Sequence, residues 1–404
     1  ITGELRMRRY LSIFVILLII SCEDNADSEK NCNLYEERGS LVSSKRTFQY
    51  SKESIASLAR SFYGIDESSL NIENAIEVYS VVYKSIGPDD KPVELSGAIY
   101  VPVLEDSKAM PTLSIGHYTN TEQYSVPSVS PTTGPQGILG SMQGYFSIYA
   151  DGYGFGISDA QPSFVNKKVS AETRIDLLKA SKEFACENDI ELNDQLFTTG
   201  YSAGGYNTMA FHQYIEEKYP ELTITANAPL AGPYSTMNMG KTIFEKGIYH
   251  QPYYLGFALW GYINGTGDSD ALNRWVNEPY REPILTMYDG SKGATQINNA
   301  LNDTISVLLK KSFLDGFLGD GEQTFKQYLK DQSFIYDGWT PKAPIHFMHG
   351  KDDTTVFHYL MEEAATVLKS NGATQIQTTS YDGNHNGAAS ACMIESLNWF
   401  NTFK

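Results

Sequence analysis

The sequence has 404 residues, 41% of them hydrophobic and 20% charged, which is typical of folded globular proteins and excludes disordered and fibrous classes. Its formal net charge of −17 repels phosphate backbones and anionic lipid surfaces, so we expect no nucleic-acid partner. The length exceeds the usual size of one domain and predicts either one large α/β domain with an insertion or two smaller domains.

The N-terminal residues have the order of a signal peptide. Arg8 and Arg9 follow Met7, and an apolar run then extends over residues 11–20. A membrane-spanning helix is the alternative, but this run is shorter than the roughly 20 apolar residues that a span needs. We therefore predict a signal peptide at residues 1–21, with residues 1–6 upstream of the true start.

A cysteine follows this segment directly. The run Ile19–Cys22 resembles the lipobox of bacterial lipoproteins, which implies that Cys22 becomes the first mature residue and is acylated. The polar, acidic residues Glu23–Asn33 are typical of a flexible linker. We predict a lipid-anchored tether at residues 22–45 and a location on the bacterial outer membrane or cell surface, with the membrane as partner through the acyl anchor.

The other three cysteines are Cys32, Cys186 and Cys392, and they allow at most one internal disulfide. They form no metal-binding motif. We favour the interpretation of Cys186 and Cys392 as small buried hydrophobic residues.

Strands and helices alternate along the first half of the chain. A weak helix at 51–62 precedes two strands that are separated by a turn at 87–90. A loop rich in Ser, Pro and Gly then occupies residues 125–140. The predicted strands of this half are 76–83, 94–103, 111–116, 146–150, 195–199 and 222–226, and its later helices surround 177–185 and cover 203–219.

The alternation of predicted strands and helices stops between residues 234 and 340. Aromatic residues cluster at 253–262, and apolar residues at 301–313 have helical spacing, so we predict a helical cap inserted into an α/β core. The core covers 46–233 and 341–404 and has a mostly parallel central sheet flanked by helices. Its last predicted elements are a strand at 344–348, a helix at 360–368, a strand at 375–381 and a helix at 388–403.

The run Gly200–Gly204, Gly-Tyr-Ser-Ala-Gly, matches the motif GxSxG between a predicted strand and a predicted helix. A nucleophile on such a sharp turn needs small residues two positions before and after it, and Gly200 and Gly204 meet that need. The turn directs the backbone N–H of Ala203 to the start of the helix, where it can stabilise an oxyanion. Ser202 is therefore the predicted nucleophile.

A carboxylate and an imidazole follow later in the chain. Asp352 and Asp353 come after the strand 344–348 and would emerge at the same edge of the sheet as Ser202. His385 lies in a loop before the last helix, where it can accept the serine proton. No other histidine has this setting, and His349 looks like part of the acid-loop framework.

These motifs, together with Asp151–Ser158, make residues 75–404 resemble the α/β-hydrolase superfamily, in particular its secreted lipases and esterases. The resemblance implies that the catalytic residues occur in the chain order serine, acid, histidine. The acid loops of this superfamily resemble HGxxD, and aligning that pattern on His349 and Gly350 selects Asp353 over Asp352. Such enzymes often have HGT after the third strand, where this chain has His117, Tyr118 and Thr119. The resemblance implies Thr119, or else Tyr118, as the second oxyanion donor.

The expected activity is cleavage of carboxylic esters through a Ser202–His385–Asp353 triad and an acyl-enzyme, with no metal or organic cofactor. The expected substrate is a small-molecule, lipid or polysaccharide ester. Two alternatives stay open: a serine peptidase similar to prolyl oligopeptidases, which usually carry a long propeller that this chain has no room for, and a non-catalytic surface binding protein.

Overall fold

The computed structural model describes residues 31–404, apart from residues 64, 67, 69 and 107. The predicted signal peptide, the predicted acylation site Cys22 and tether residues 23–30 lie outside the described residues. Within the part that is described, no helix is both long and apolar enough to cross a membrane.

The described residues form one nine-stranded sheet. The strands are β1 (Leu41–Tyr50), β2 (Ala75–Ile86), β3 (Pro92–Val103), β4 (Met110–Gly116), β5 (Phe146–Ala150), β6 (Leu192–Tyr201), β7 (Ala226–Leu230), β8 (Ile345–Gly350) and β9 (Ile376–Tyr381). Their order in the sheet is β1-β2-β3-β5-β4-β6-β7-β8-β9. The pairs from β1 to β3, and the pair β3–β5, are antiparallel, while all pairs along the sheet from β5 to β9 are parallel.

Helices cover both faces of the sheet. The helices are α1 (Lys52–Tyr63), α2 (Pro135–Met142), α3 (Lys167–Glu187), α4 (Ala203–Lys218), α5 (Thr236–Lys246), α6 (Pro252–Thr266), α7 (Ala271–Trp275), α8 (Arg281–Thr286), α9 (Ala294–Ala300), α10 (Ile305–Leu308), α11 (Lys311–Leu318), α12 (Gln323–Asp331), α13 (Tyr359–Ser370) and α14 (Ala389–Asn401). Helices α3, α4 and α13 pack on one face, and α1, α2 and α14 on the other. The predicted α/β class, a mostly parallel sheet between helices, is confirmed.

Alternating side chains of a strand supply the two apolar cores. Ile99 of β3 belongs to the core under α3 and α4, whereas its neighbours Ala98 and Tyr100 belong to the opposite core. Helices α5 to α12 form a third apolar cluster of their own, which also includes Val356 and Phe357. The boundaries drawn at 233 and 341 between core and cap stay a prediction.

The strand register brings the carboxyl ends of the parallel strands to one edge. Gly116 of β4 pairs with Gly200 of β6, and Leu230 of β7 pairs with Met348 of β8. His349 of β8 pairs in turn with Ser380 of β9. The loops that follow β6, β8 and β9 therefore leave the sheet on the same side.

The tether prediction is wrong for residues 32–45, which are bound to the folded body. A carboxylate oxygen of Glu183 on α3 accepts from the backbone N–H groups of Leu34 at 2.7 Å and Tyr35 at 2.8 Å. Arg38 donates from Nε to Asp176 at 2.8 Å, and residues 41–45 already belong to β1. Hydrogen bonds to buried carboxylates thus hold a segment whose polar composition resembles a linker.

A disulfide joins Cys32 to Cys186, across 154 residues, so the interpretation of Cys186 as a free buried residue is wrong. Cys392 is a buried free thiol, as expected. The bridge connects the N-terminal segment to the end of α3, which lies just before the start of β6. It is therefore at the opposite end of β6 from Ser202.

Loss of this disulfide should lower the free energy of unfolding by about 2–5 kcal/mol, because a long loop in the unfolded chain is no longer closed. The double variant Cys32→Ser/Cys186→Ser, measured by urea unfolding against the wild type, tests this. Wild-type protein in reductant serves as the control and should unfold at the midpoint of the double variant. Equal unfolding free energies with and without the bridge would contradict the prediction.

Three further details differ from the sequence prediction. The predicted loop 125–140 contains a buried helix, α2, which starts at Pro135. The strand predicted at 222–226 lies instead at 226–230. The sequence does not indicate a strand there, because Asn227 and Pro229 have low strand propensity. The apolar run 301–313 is split among short helices, since Leu309 has an extended backbone between α10 and α11.

Candidate active site

Ser202 lies on the tight turn between β6 and α4. Its backbone has φ 59° and ψ −121°, a left-handed φ that residues other than glycine rarely adopt. Its N–H donates to the carbonyl oxygen of Leu230 at 2.9 Å, which fixes the turn to the neighbouring strand. The backbone thus presents the hydroxyl at the sheet edge.

Three glycines make this turn possible. A Cβ atom on Gly200 would lie 2.4 Å from the carbonyl oxygen of Gly204, and one on Gly204 would lie 2.3 Å from that of Gly116. Because real Cβ atoms do not approach backbone this closely, each position needs glycine. The roles of Gly200 and Gly204 follow from the motif, whereas Gly116 on β4 is a third member that the motif does not reveal.

The structure brings Ser202, His385 and Asp353 together. Nε2 of His385 lies 3.0 Å from the Oγ of Ser202, and Nδ1 of His385 lies 2.6 Å from Oδ2 of Asp353. All three residues are buried. Asp352 is exposed and does not contact the histidine, so the two adjacent aspartates differ in position as expected.

The loop after β8 holds Asp353 as a carboxylate. Oδ1 accepts from the backbone N–H groups of Thr355 and Val356, both at 2.9 Å, while Oδ2 also lies 3.0 Å from Nε2 of His349. Burial alone would raise the pKa of Asp353, but the hydrogen bonds from His349 and His385 outweigh it and lower the pKa to about 2. Asp353 is therefore ionised at neutral pH.

His349 contacts the acid loop, which is the loop after β8 that carries Asp353. Its Nε2 lies between Oδ2 of Asp353 and the carbonyl oxygen of Val356, at 2.8 Å from the latter, and its ring is fully buried. It therefore positions the acid loop. Other histidines lie elsewhere: His212 bonds Glu216, His346 bonds Thr379, and His250 is exposed.

A cavity adjoins Ser202. Its walls come from the loops of the core and from helices α5, α6 and α12, and they are mainly apolar, with Met239, Ile243 and Leu255 among them. The polar atoms of two lining residues bond elsewhere: Thr236 donates to Leu329 O at 2.6 Å, and Tyr249 donates to Thr355 O at 2.9 Å. The cavity therefore suits an apolar group. We name it the apolar chamber.

The predicted oxyanion donors also line the apolar chamber. Ala203 is the first residue of α4, so its N–H has no acceptor within the helix, and Thr119 lines the same chamber from the loop after β4. The carbonyl oxygen of Tyr118 faces Nδ1 of His117 at 2.6 Å. Of the two alternatives, Thr119 therefore shares the chamber with Ser202, and Tyr118 does not line it.

Among the described residues, no group of three or more His, Cys, Asp or Glu side chains is arranged to hold a metal ion. The group formed by Ser202, His385 and Asp353 can transfer a proton from the Ser202 hydroxyl to His385. Asp353 then lies next to the imidazolium that forms.

In sequence, the chain matches no protein-family profile and no curated protein. In structure, it is similar to the rice cell wall degrading esterase LipA from Xanthomonas oryzae, with a TM-score of 0.82 and 20% identity over 91% of this chain and 100% of that chain. It is also similar to Candida antarctica lipase A in its closed state, with a TM-score of 0.67 and 17% identity over 91% and 82% of the two chains. A Legionella pneumophila protein described as a hydrolase gives a TM-score of 0.81 at 22% identity, over 90% and 98%. The predicted α/β-hydrolase fold is thereby confirmed.

Proposed function

We propose that this protein is a serine hydrolase that cleaves carboxylic esters. The observation that carries the proposal is the hydrogen-bonded series from Ser202 through His385 to Asp353, at 3.0 Å and 2.6 Å. The similarity of the fold to an esterase and a lipase supports the choice of esters. So does the apolar chamber beside Ser202, which suits an acyl chain better than a polar peptide.

In the proposed reaction, His385 takes the proton of Ser202 as its Oγ forms a bond to the ester carbonyl carbon. The backbone N–H groups of Ala203 and Thr119 stabilise the oxyanion, and Asp353 stabilises the imidazolium. The bond to the alcohol oxygen then breaks, and His385 protonates the leaving alcohol. Water, deprotonated by His385, hydrolyses the acyl-enzyme and restores the serine hydroxyl.

We expect activity to rise with the length of the acyl chain. Each methylene that enters the apolar chamber is removed from water, which is worth about 0.8 kcal/mol, so kcat/KM should rise about fourfold per carbon until the chamber is full. A series of ethyl esters, with proline-containing peptides alongside, measures this. Ala258→Phe, which would enlarge a side chain in the wall, should shift the preference toward short chains.

Two results would contradict this proposal. Preferential cleavage of the peptides would favour the peptidase alternative, and cleavage of neither class by the folded protein would favour a non-catalytic binding protein.

We also propose that the protein is exported and anchored through an acylated Cys22. The order of charged, apolar and small residues before Cys22 supports export. The Cys32–Cys186 disulfide supports it independently, because disulfides persist in oxidising compartments outside the cytosol. Cys22→Ser should move the protein from the membrane fraction to the soluble fraction of cells, and an unchanged distribution would contradict the anchor.

A further inference from the structure

The side chain next to the nucleophile contacts the main chain of the histidine. The hydroxyl of Tyr201 donates to the carbonyl oxygen of His385 at 2.5 Å, and the centroids of the two rings lie 5.3 Å apart. Tyr201 immediately precedes Ser202 in the chain. One turn therefore carries both the proposed nucleophile and a contact to the proposed base, and the proposed reaction assigns no role to that contact.

Tyr201 is held in place at its backbone and at its ring. It is the last residue of β6, and its backbone pairs with Leu230 of the neighbouring strand β7. Its side chain is buried in the apolar core on the side of α14, in the same cluster as Ala388 and Cys392. The hydroxyl is thus a fixed donor beside the site.

This donor keeps its proton at every pH at which the protein is folded and active. Burial raises the pKa of Tyr201 above its ordinary value, because a phenolate in the core would be desolvated. A carbonyl oxygen can only accept, so the direction of the bond is fixed. The contact between Tyr201 and His385 therefore does not depend on pH.

The loop that carries His385 connects β9 to α14. Asn384 shapes it from within, since its Oδ1 accepts from a backbone N–H three residues later at 2.9 Å. The N–H of Asp352 donates to the carbonyl oxygen of Gly383 at 3.1 Å and links this loop to the acid loop. The bond from Tyr201 links it to the turn that carries the nucleophile.

We propose that Tyr201 is a positioning residue, whose hydroxyl holds the main chain of His385 so that Nε2 stays aligned first with Ser202 and then with the leaving alcohol. This inference rests on the proposed esterase function. His385 is held at its carbonyl oxygen by Tyr201 and at Nδ1 by Asp353. Tyr201 does not line the apolar chamber, so it acts through the histidine and not on the substrate.

Tyr201→Phe removes the hydroxyl and keeps the ring. A displacement of about 1 Å in a catalytic group can lower the rate by about 100-fold. We therefore expect kcat for ethyl dodecanoate to fall by about 10- to 100-fold in this variant of the full chain. KM should change by less than about twofold, because the wall of the apolar chamber is unaltered.

Two esters of one acid separate positioning from a loss of folded protein. Ethyl dodecanoate needs a proton from His385 on its leaving oxygen, whereas p-nitrophenyl dodecanoate releases a stable anion without one. Tyr201→Phe should thus lower kcat/KM for the ethyl ester by about tenfold more than for the nitrophenyl ester. Because both values come from one sample, their ratio does not depend on the folded fraction.

Tyr145→Phe is the matched control. Tyr145 is also buried, and its hydroxyl donates to Oδ1 of Asn401 at 3.0 Å, away from His385. This variant should keep the wild-type kcat and the wild-type ratio of the two esters.

An unchanged ratio in Tyr201→Phe, whether activity is kept or falls equally for both esters, would overturn the proposal while ester hydrolysis stands. Tyr201→Met, which also lacks a donor, gives the same comparison if the first variant yields no folded protein. Absence of hydrolysis of both esters by the wild type would instead count against the proposed function itself.

Discussion

Ser202→Ala is expected to lower kcat/KM for ester hydrolysis by about 10⁴-fold or more, because removal of a catalytic nucleophile leaves only the contribution of binding and of the oxyanion donors. The Ser202 hydroxyl bonds only His385 among the described side chains, so its loss should leave the fold intact. The measurement is steady-state hydrolysis of ethyl dodecanoate together with thermal unfolding of the same samples.

The chain offers a matched control for this variant. Ser396 on α14 is also buried, and its hydroxyl donates to the carbonyl oxygen of Met393 at 2.7 Å, away from the apolar chamber. Ser396→Ala should keep wild-type activity. Activity retained in Ser202→Ala would remove Ser202 from the mechanism.

Asp353→Asn should lower kcat/KM by about 10³- to 10⁴-fold. An amide carries no charge to stabilise the imidazolium, and it can donate to His385 and so favour the wrong tautomer. Because the pKa of Asp353 is lowered to about 2, the wild-type carboxylate is ionised throughout the working range. Protonation of Asp353 should therefore contribute nothing to any change of wild-type activity between about pH 6 and about pH 8.

Asp352→Asn is the control for this prediction, since the exposed carboxylate is adjacent in sequence but does not contact His385. It should retain most of the activity. Equal losses in the two variants would mean that charge near the site matters rather than the contact with His385.

The parallel part of the sheet could be predicted because its strands are buried and apolar and alternate with helices. The strand predicted at 146–150 begins and ends at the same residues as β5. The first strand could not be predicted, since nearly all side chains of β1 are exposed and it pairs with β2 through its backbone. A polar edge strand leaves no alternation of apolar residues in the sequence.

Some residues of the candidate site could also be predicted from the sequence, and others could not. Ser202, Asp353 and His385 lie in local motifs, so the sequence reveals them. Gly116 is needed because its backbone approaches Gly204 closely, and the two residues are distant in sequence, so no local motif marks it. Arg174 of α3 is buried, whereas an arginine in a helix usually lies at the surface, so nothing in the local pattern marks it either.

The most direct test of the account is covalent labelling of the folded protein with a fluorophosphonate, followed by mass spectrometry of its peptides. An activated serine displaces fluoride from the probe, whereas an ordinary serine does not react. We predict a single adduct, on Ser202, which is absent from Ser202→Ala and strongly reduced in His385→Ala. No adduct, or an adduct on a different serine, would contradict the assignment of Ser202 as the nucleophile.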